Sequence, residues 1–180
     1  MNSWNDAAAA NLARIYSISP ESGNIDRLRR HLDEMIDDYF LAAPDADSSE
    51  CRLRWLRLGM KARDLGSHLG YSEFFALPAD MLEILVRKQR DYGHENIARF
   101  GRLGLLVRVH DKIARLENLL GTGSKPNNES ILDNVADVVG YCVLGAMWEE
   151  GNFLLALQQP TVVERNVMSA PMFRSAHPIG

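Results

Sequence analysis

Apolar and polar positions recur along most of this chain with the period of an α-helix. In 24–41, "NIDRLRRHLDEMIDDYFL", Ile25, Leu28, Leu32, Met35, Ile36 and Tyr39 share one face, an amphipathic helical pattern. The same reading predicts a short helix over 4–17 and another over 50–65 carrying Leu53, Leu56, Leu58 and Met60. "LGYSEFFALPAD" (69–80) interrupts the pattern with Gly70 and Pro78. Pro78 suits the first turn of a helix running from about 79 to 91. A helix over 102–120 follows and stops at "GTGSKPNN" (121–128). There Gly121 or Gly123 can close it, Pro126 blocks continuation, and Asn127 or Asn128 can cap a last helix over 128–148. No alternating run and no Asn-Gly or Asp-Gly hairpin turn predicts a strand.

The expected fold class is therefore all-α, a helical bundle. The most regular part, 76–157, is its core; 1–75 is an N-terminal helical extension, either integral to the bundle or appended to it; 158–180 is an irregular tail. Composition adds few constraints. Apolar residues are 46% and the net charge is −4, which argues against a general binder of nucleic acid or anionic membrane. Cys51 and Cys142 show no metal or disulfide spacing, so reduced thiols in the cytoplasm are expected. No secretory leader is read at the start. The longest strongly apolar uncharged run, 138–148, has 11 residues, against about 20 for a bilayer span.

Three stretches carry candidate chemistry. In "NESILDNVADVVGY" (128–141), a continuous helix would set Glu129, Asp133 and Asp137 one turn apart on a single face, with Tyr141 next in line. Like charges at this spacing repel, and aspartate is a poor interior helix residue. Either a divalent cation or arginines from another helix would remove the penalty. Mg²⁺ suits carboxylates and keeps waters that a phosphate can replace. In "RVHDKIARLENLL" (108–120), Arg108, Asp111, Lys112 and Arg115 form one charged face, opposite Leu105, Leu106, Val109, Ile113, Leu116 and Leu120. Asp111 could pair with Arg108 and Arg115 on a solvated surface, or the cations could serve phosphate. "KQRDYGHEN" (88–96) supplies Lys88, Asp91 and Tyr92, then Gly93 for a backbone turn and His94 as a loop or capping residue. "GTGSK" lacks the spacing of a phosphate-binding P-loop, and no HExxH or GxSxG motif occurs.

In order and spacing, K-x-x-D-Y-G (88–93), R-x-x-D-K-x-x-R-L-x-N-L (108–119) and N-E-S-x-x-D-x-x-x-D-x-x-x-Y (128–141) resemble the first type of nucleotide-modification-associated domain. That family occurs largely in phages and bacteria, and it is similar to the all-α NTP pyrophosphatases of the MazG type. The resemblance covers roughly residues 80–150. It implies a MazG-like bundle, a homodimer or higher homo-oligomer, and Mg²⁺ (or Mn²⁺) held by acids on two antiparallel helices. The family's ExxE and ExxD pairs are here replaced by Asp111 and by DxxxD.

The implied activity is hydrolysis of a nucleoside triphosphate to monophosphate and pyrophosphate. Asp111, Glu129, Asp133 and Asp137 would hold metal, with Glu129 and Asp133 catalytic. Lys88, Arg108, Lys112 and Arg115 would bind phosphates, and Tyr92 or Tyr141 the nucleoside. The implied setting is the cytoplasm, the host's if phage-encoded. The alternative is a non-catalytic nucleotide-binding or protein-interaction module, without membrane or direct nucleic-acid contact.

Overall fold

A computed structural model describes residues 2–18, 23–41, 48–123, 126 and 129–158. Among the described residues there are seven α-helices and no strand: α1 (Trp4–Tyr16), α2 (Ile25–Leu41), α3 (Ser48–Gly66), α4 (Pro78–Tyr92), the single turn α5 (Glu95–Ala98), α6 (Gly101–Thr122) and α7 (Ile131–Glu149). A π-helical turn, Ser67–Tyr71, prolongs α3. The expected all-α class holds, and each helix read from periodicity is present within a few residues. The tail over 159–180, together with Asn127 and Asn128, lies outside the described residues.

The apolar run 138–148 becomes most of α7, which buries residues around nearly its whole circumference, from Asn134 to Met147. A helix apolar on all sides belongs in a core. The whole of α7, longer than that run, is long and apolar enough to cross a membrane by length and composition alone, and 67% of its apolar window is buried against the rest of this chain. Its most extensive partner is α3, followed by α6. Small residues let α3 and α7 approach closely. A Cβ at Gly145 would stand 2.3 Å from Trp55 Cδ2, and one at Gly59 would stand 3.2 Å from the Cys142 Cβ.

The N-terminal helices share this core. Trp4, Leu12 and Ile15 of α1 and Leu28 and Leu32 of α2 are fully buried in the same cluster as α3, α4, α6 and α7. Helix α1 packs on α4, α7 and α3, and α2 on α6 and α3. Arg63, itself buried, donates to the carbonyls of Ile15 (2.8 Å) and Ile18 (2.9 Å) just past α1 and pairs with Asp64. One expected core residue differs: Leu53 faces solvent.

Candidate functional site

Helices α6 and α7 run antiparallel, as the pairing across them shows. Arg108 lies opposite Tyr141, Lys112 opposite Asp137, and Arg115 opposite Glu129. Helix α6 ends at Gly123, whose φ of +62° favours glycine. Helix α7 begins at Ile131, later than the sequence suggests, and Ser130 caps it instead of Asn127 or Asn128. The Ser130 hydroxyl accepts from the Asp133 N–H (3.0 Å), and the Asp133 carboxylate accepts from the Ser130 N–H (2.9 Å) and hydroxyl (2.7 Å). This is a capping box.

The acidic stripe is thereby divided among three environments. Glu129 precedes the helix, so it is not an i, i+4 helical neighbour of Asp133. Its carboxylate accepts from Lys112 Nζ at 2.5 Å and Arg115 at 3.4 Å, and its carbonyl accepts from Arg115 at 3.0 Å. Asp133 is turned toward its own helix start. Asp137, with a side chain only 11% exposed, sits between two lysines: Lys112 at 2.9 Å and Lys88, reaching across from α4. Burial pulls the Lys112 pKa down, but the hydrogen bonds it donates to Asp137 and Glu129, with their charges, outweigh it and hold the ammonium above its ordinary value.

The structure thus brings together Lys88, Lys112, Arg115, Glu129 and Asp137, with Arg108 and Tyr141 at the next turn. The Arg108 guanidinium lies 6.0 Å from the Tyr141 ring centroid and donates to the Asn96 carbonyl at 3.3 Å. Three expected members stand apart. Asp133 is engaged in the cap. Asp111 is exposed and forms neither of the expected pairs with Arg108 and Arg115, because those arginines turn to Asn96 and Glu129. Tyr92, the last residue of α4, is 65% exposed. Gly93 provides the expected turn with φ +66°. His94 leaves the site too, its Nε2 lying 3.1 Å from the Leu155 carbonyl.

Among the described residues no three His, Cys, Asp or Glu side chains converge as metal ligands. Of the carboxylates proposed to hold Mg²⁺, Glu129, Asp137 and Asp133 face ammonium, guanidinium and hydroxyl groups, and Asp111 stands apart. In this arrangement the donor set does not fit a resident cation. It fits a cluster in which three cations surround two carboxylates.

Sequence reasoning overlooked Asn96, whose Oδ1 is buried without a hydrogen-bond partner. It also overlooked a second ion cluster at the end of α7. Glu149 takes a two-pronged contact from Arg102 (2.7 and 2.5 Å) and the Trp55 indole N–H (3.3 Å). Glu150 accepts from Arg14 (2.6 Å), Arg52 (3.1 Å) and Asn11 (3.1 Å). These groups come from four helices, and no local spacing announces them. No family model matches the chain, and neither a curated protein nor a solved structure matches it.

Proposed function

We propose that the α4–α6–α7 cluster binds the phosphates of a nucleotide through Lys88, Lys112 and Arg115. One observation carries this reading: Glu129 places an exposed, single-charged carboxylate against Lys112 and Arg115 from outside the helix. An anion at that point is what the two side chains are arranged to receive. A phosphate offers more charge and three oxygens, and a guanidinium matches it bidentately. Glu129 is then the group that a phosphate displaces, while Asp137 keeps the two lysines in position from below.

The resemblance of the three motifs to a nucleotide-modification-associated domain, a family similar to the MazG-type pyrophosphatases, adds the stronger form of the proposal. Water attacks the α-phosphorus, the bond to the bridging oxygen breaks, and pyrophosphate leaves with a monophosphate as second product. Glu129, released from its cations, is the nearby carboxylate able to take the water's proton. A second reading is a non-catalytic module in which the ion pairs only tie α4 and α6 to α7. The complete pairing of Lys88, Lys112 and Arg115 within the chain favours it.

The test is titration of the full chain with the four dNTPs and inorganic tripolyphosphate in Mg²⁺ buffer, followed by product analysis. Saturable binding that weakens about tenfold or more in Arg115→Ala supports the site, since one charged contact is worth about that factor. Pyrophosphate release supports the hydrolytic form. No binding of any triphosphate leaves the structural module.

A further inference from the structure

Helices α2 and α6 leave an apolar groove between them. Ile36 and Phe40 line it from α2, and Leu103, Leu106, Val107 and His110 from α6, around a cavity of about 140 Å³. At 3.6 residues per turn these α6 positions lie on the face away from Arg108, Lys112 and Arg115. The walls are open to solvent: Phe40 is 68% exposed and Val107 52%. An apolar cavity of about 150 Å³ is large enough for a benzene ring. The rim is acidic. Asp33 and Asp37 precede Phe40 at helical spacing on α2, Asp111 follows Val107 by one turn on α6, and all three are exposed. The groove therefore suits an aromatic ring with a cation beside it.

We propose that the chain's own C-terminal segment, residues 159–180, occupies this groove, with the Phe173 ring in the cavity and Arg174 against the rim acids. Of Phe, Tyr and Trp the segment holds one residue, Phe173, and Arg174 follows it directly. Its charges are Arg165 and Arg174 against Glu164, a cationic balance opposite an acidic rim. The chain also ends within reach. Arg102, one residue before the groove-lining Leu103, holds Glu149 at the end of α7. From there the chain returns to α1, where the Ala156 carbonyl accepts from the Trp4 N–H and the Gln158 N–H donates to the Asn5 side chain, each at 3.0 Å. Residues 150–158 carry it no more than about 30 Å from Glu149, and the stretch from Gln158 to Phe173 spans up to about 50 Å when extended. Phe173 can therefore return to the groove of its own chain. The proposal is independent of the phosphate-binding reading, because it uses the other face of α6.

The experiment is limited trypsin digestion of the full chain, with cleavage after Arg174 followed by mass spectrometry. The parent is compared with Phe173→Ser, Val107→Lys and Asp111→Lys, and with a synthetic peptide of residues 159–180 as the undocked reference. Cleavage by a protease tracks the population of the open form. The parent is expected to be cut about tenfold or more slowly than the peptide, since burying one aromatic ring is worth at least that factor. Phe173→Ser and Val107→Lys bring the rate up to that of the peptide, and Asp111→Lys raises it part of the way. Phe173→Ser alters none of the described residues, so its result stands even where Val107→Lys lowers stability. A parent cut as fast as the peptide overturns the proposal, as does a protected parent whose rate neither Phe173→Ser nor Val107→Lys changes. Protection that strengthens with protein concentration places the segment in the groove of a second copy and overturns docking within one chain.

Discussion

Asp137→Asn separates a carboxylate that organises lysines from one held open for a cation. The side chain of Asp137 is 11% exposed and faces Lys112, 18% exposed, and Lys88, 44% exposed. Replacing one oxygen by an amide nitrogen removes the charge and leaves one acceptor for two ammonium groups. A hydrogen bond to a charged group is worth about 1.5–3 kcal/mol when shielded, and an exposed pair about 0.2–1 kcal/mol. Lys112 belongs near the first range and Lys88 in the second, so a loss of about 2 kcal/mol is expected. For a chain of this length about 1 kcal/mol moves Tm by 2–4 °C, giving a drop of about 4–8 °C at neutral pH without ligand. The assay is reversible thermal or urea unfolding of the parent, Asp137→Asn, Lys112→Met and the double variant. A coupling of about 1 kcal/mol or more between positions 112 and 137 is expected from the cycle. A variant as stable as the parent, or more stable, would refute the reasoning. It would mean that Asp137 is relieved by losing its charge, as an acid awaiting a cation would be.

Two further predictions concern the scaffold. Gly145→Ala puts a methyl 2.3 Å from the Trp55 ring. Overpacking of this kind costs about 1–3 kcal/mol or more, against a gain in helix propensity of about 1 kcal/mol. A lower urea midpoint is expected, and an unchanged or higher one contradicts the close α3–α7 approach. Acid should also destabilise the fold through Glu117 and Glu150. The bidentate Arg29 contact holds Glu117 below its ordinary pKa. Burial pushes Glu150 up, but hydrogen bonds from Asn11 and Arg14 outweigh it and leave it low. A lowered folded pKa gives stability that is present above the ordinary glutamate value, about 4.3. That stability is lost as pH falls through that value toward the folded one. Tm should therefore decline below about pH 4.5, and Glu150→Gln should flatten the decline; an equal slope in the variant would count against this assignment.

Much of the helical framework is legible in the chain because burial repeats at helical spacing. Leu28, Leu32 and Met35 in α2, and Leu105, Val109, Ile113 and Leu116 in α6, are buried as their pattern suggests. Pro78 and Gly123 mark boundaries through backbone geometry that no other residue supplies as easily. What periodicity cannot give is which helix meets which. Nothing local tells Gly145 that Trp55 fills the space its side chain lacks, or Glu150 that Arg14 and Arg52 converge on it. The candidate site shows the same division. Both charged faces are readable, one acidic on α7 and one basic on α6, but not their register. Once α6 and α7 are antiparallel with Lys112 opposite Asp137, each face answers the other. The repulsion that invited a metal is relieved by Lys88, Lys112 and Arg115.

The capping box changes what the remaining charges can do. Asp133 sits one residue ahead of the buried Asn134 and could have joined Asp137. Because Ser130 claims both its position and its carboxylate, the cluster keeps only Glu129 and Asp137 against Lys88, Lys112 and Arg115. One positive charge is left over, before Arg108 is counted, in a chain whose net charge is −4. A local cationic surplus on an acidic protein attracts anions to one place and not to the surface at large. The two carboxylates are not equivalent in resisting an incoming anion. Asp137 is anchored within α7 and shielded from solvent, whereas Glu129 lies ahead of the helix with its side chain nearly half exposed. Competition for Lys112 and Arg115 is therefore decided at Glu129, and a dianionic phosphate has the charge to win it. On this argument Glu129→Gln should bind tripolyphosphate more tightly than the parent. A carboxylate needed to hold a metal for the same ligand would give the opposite result.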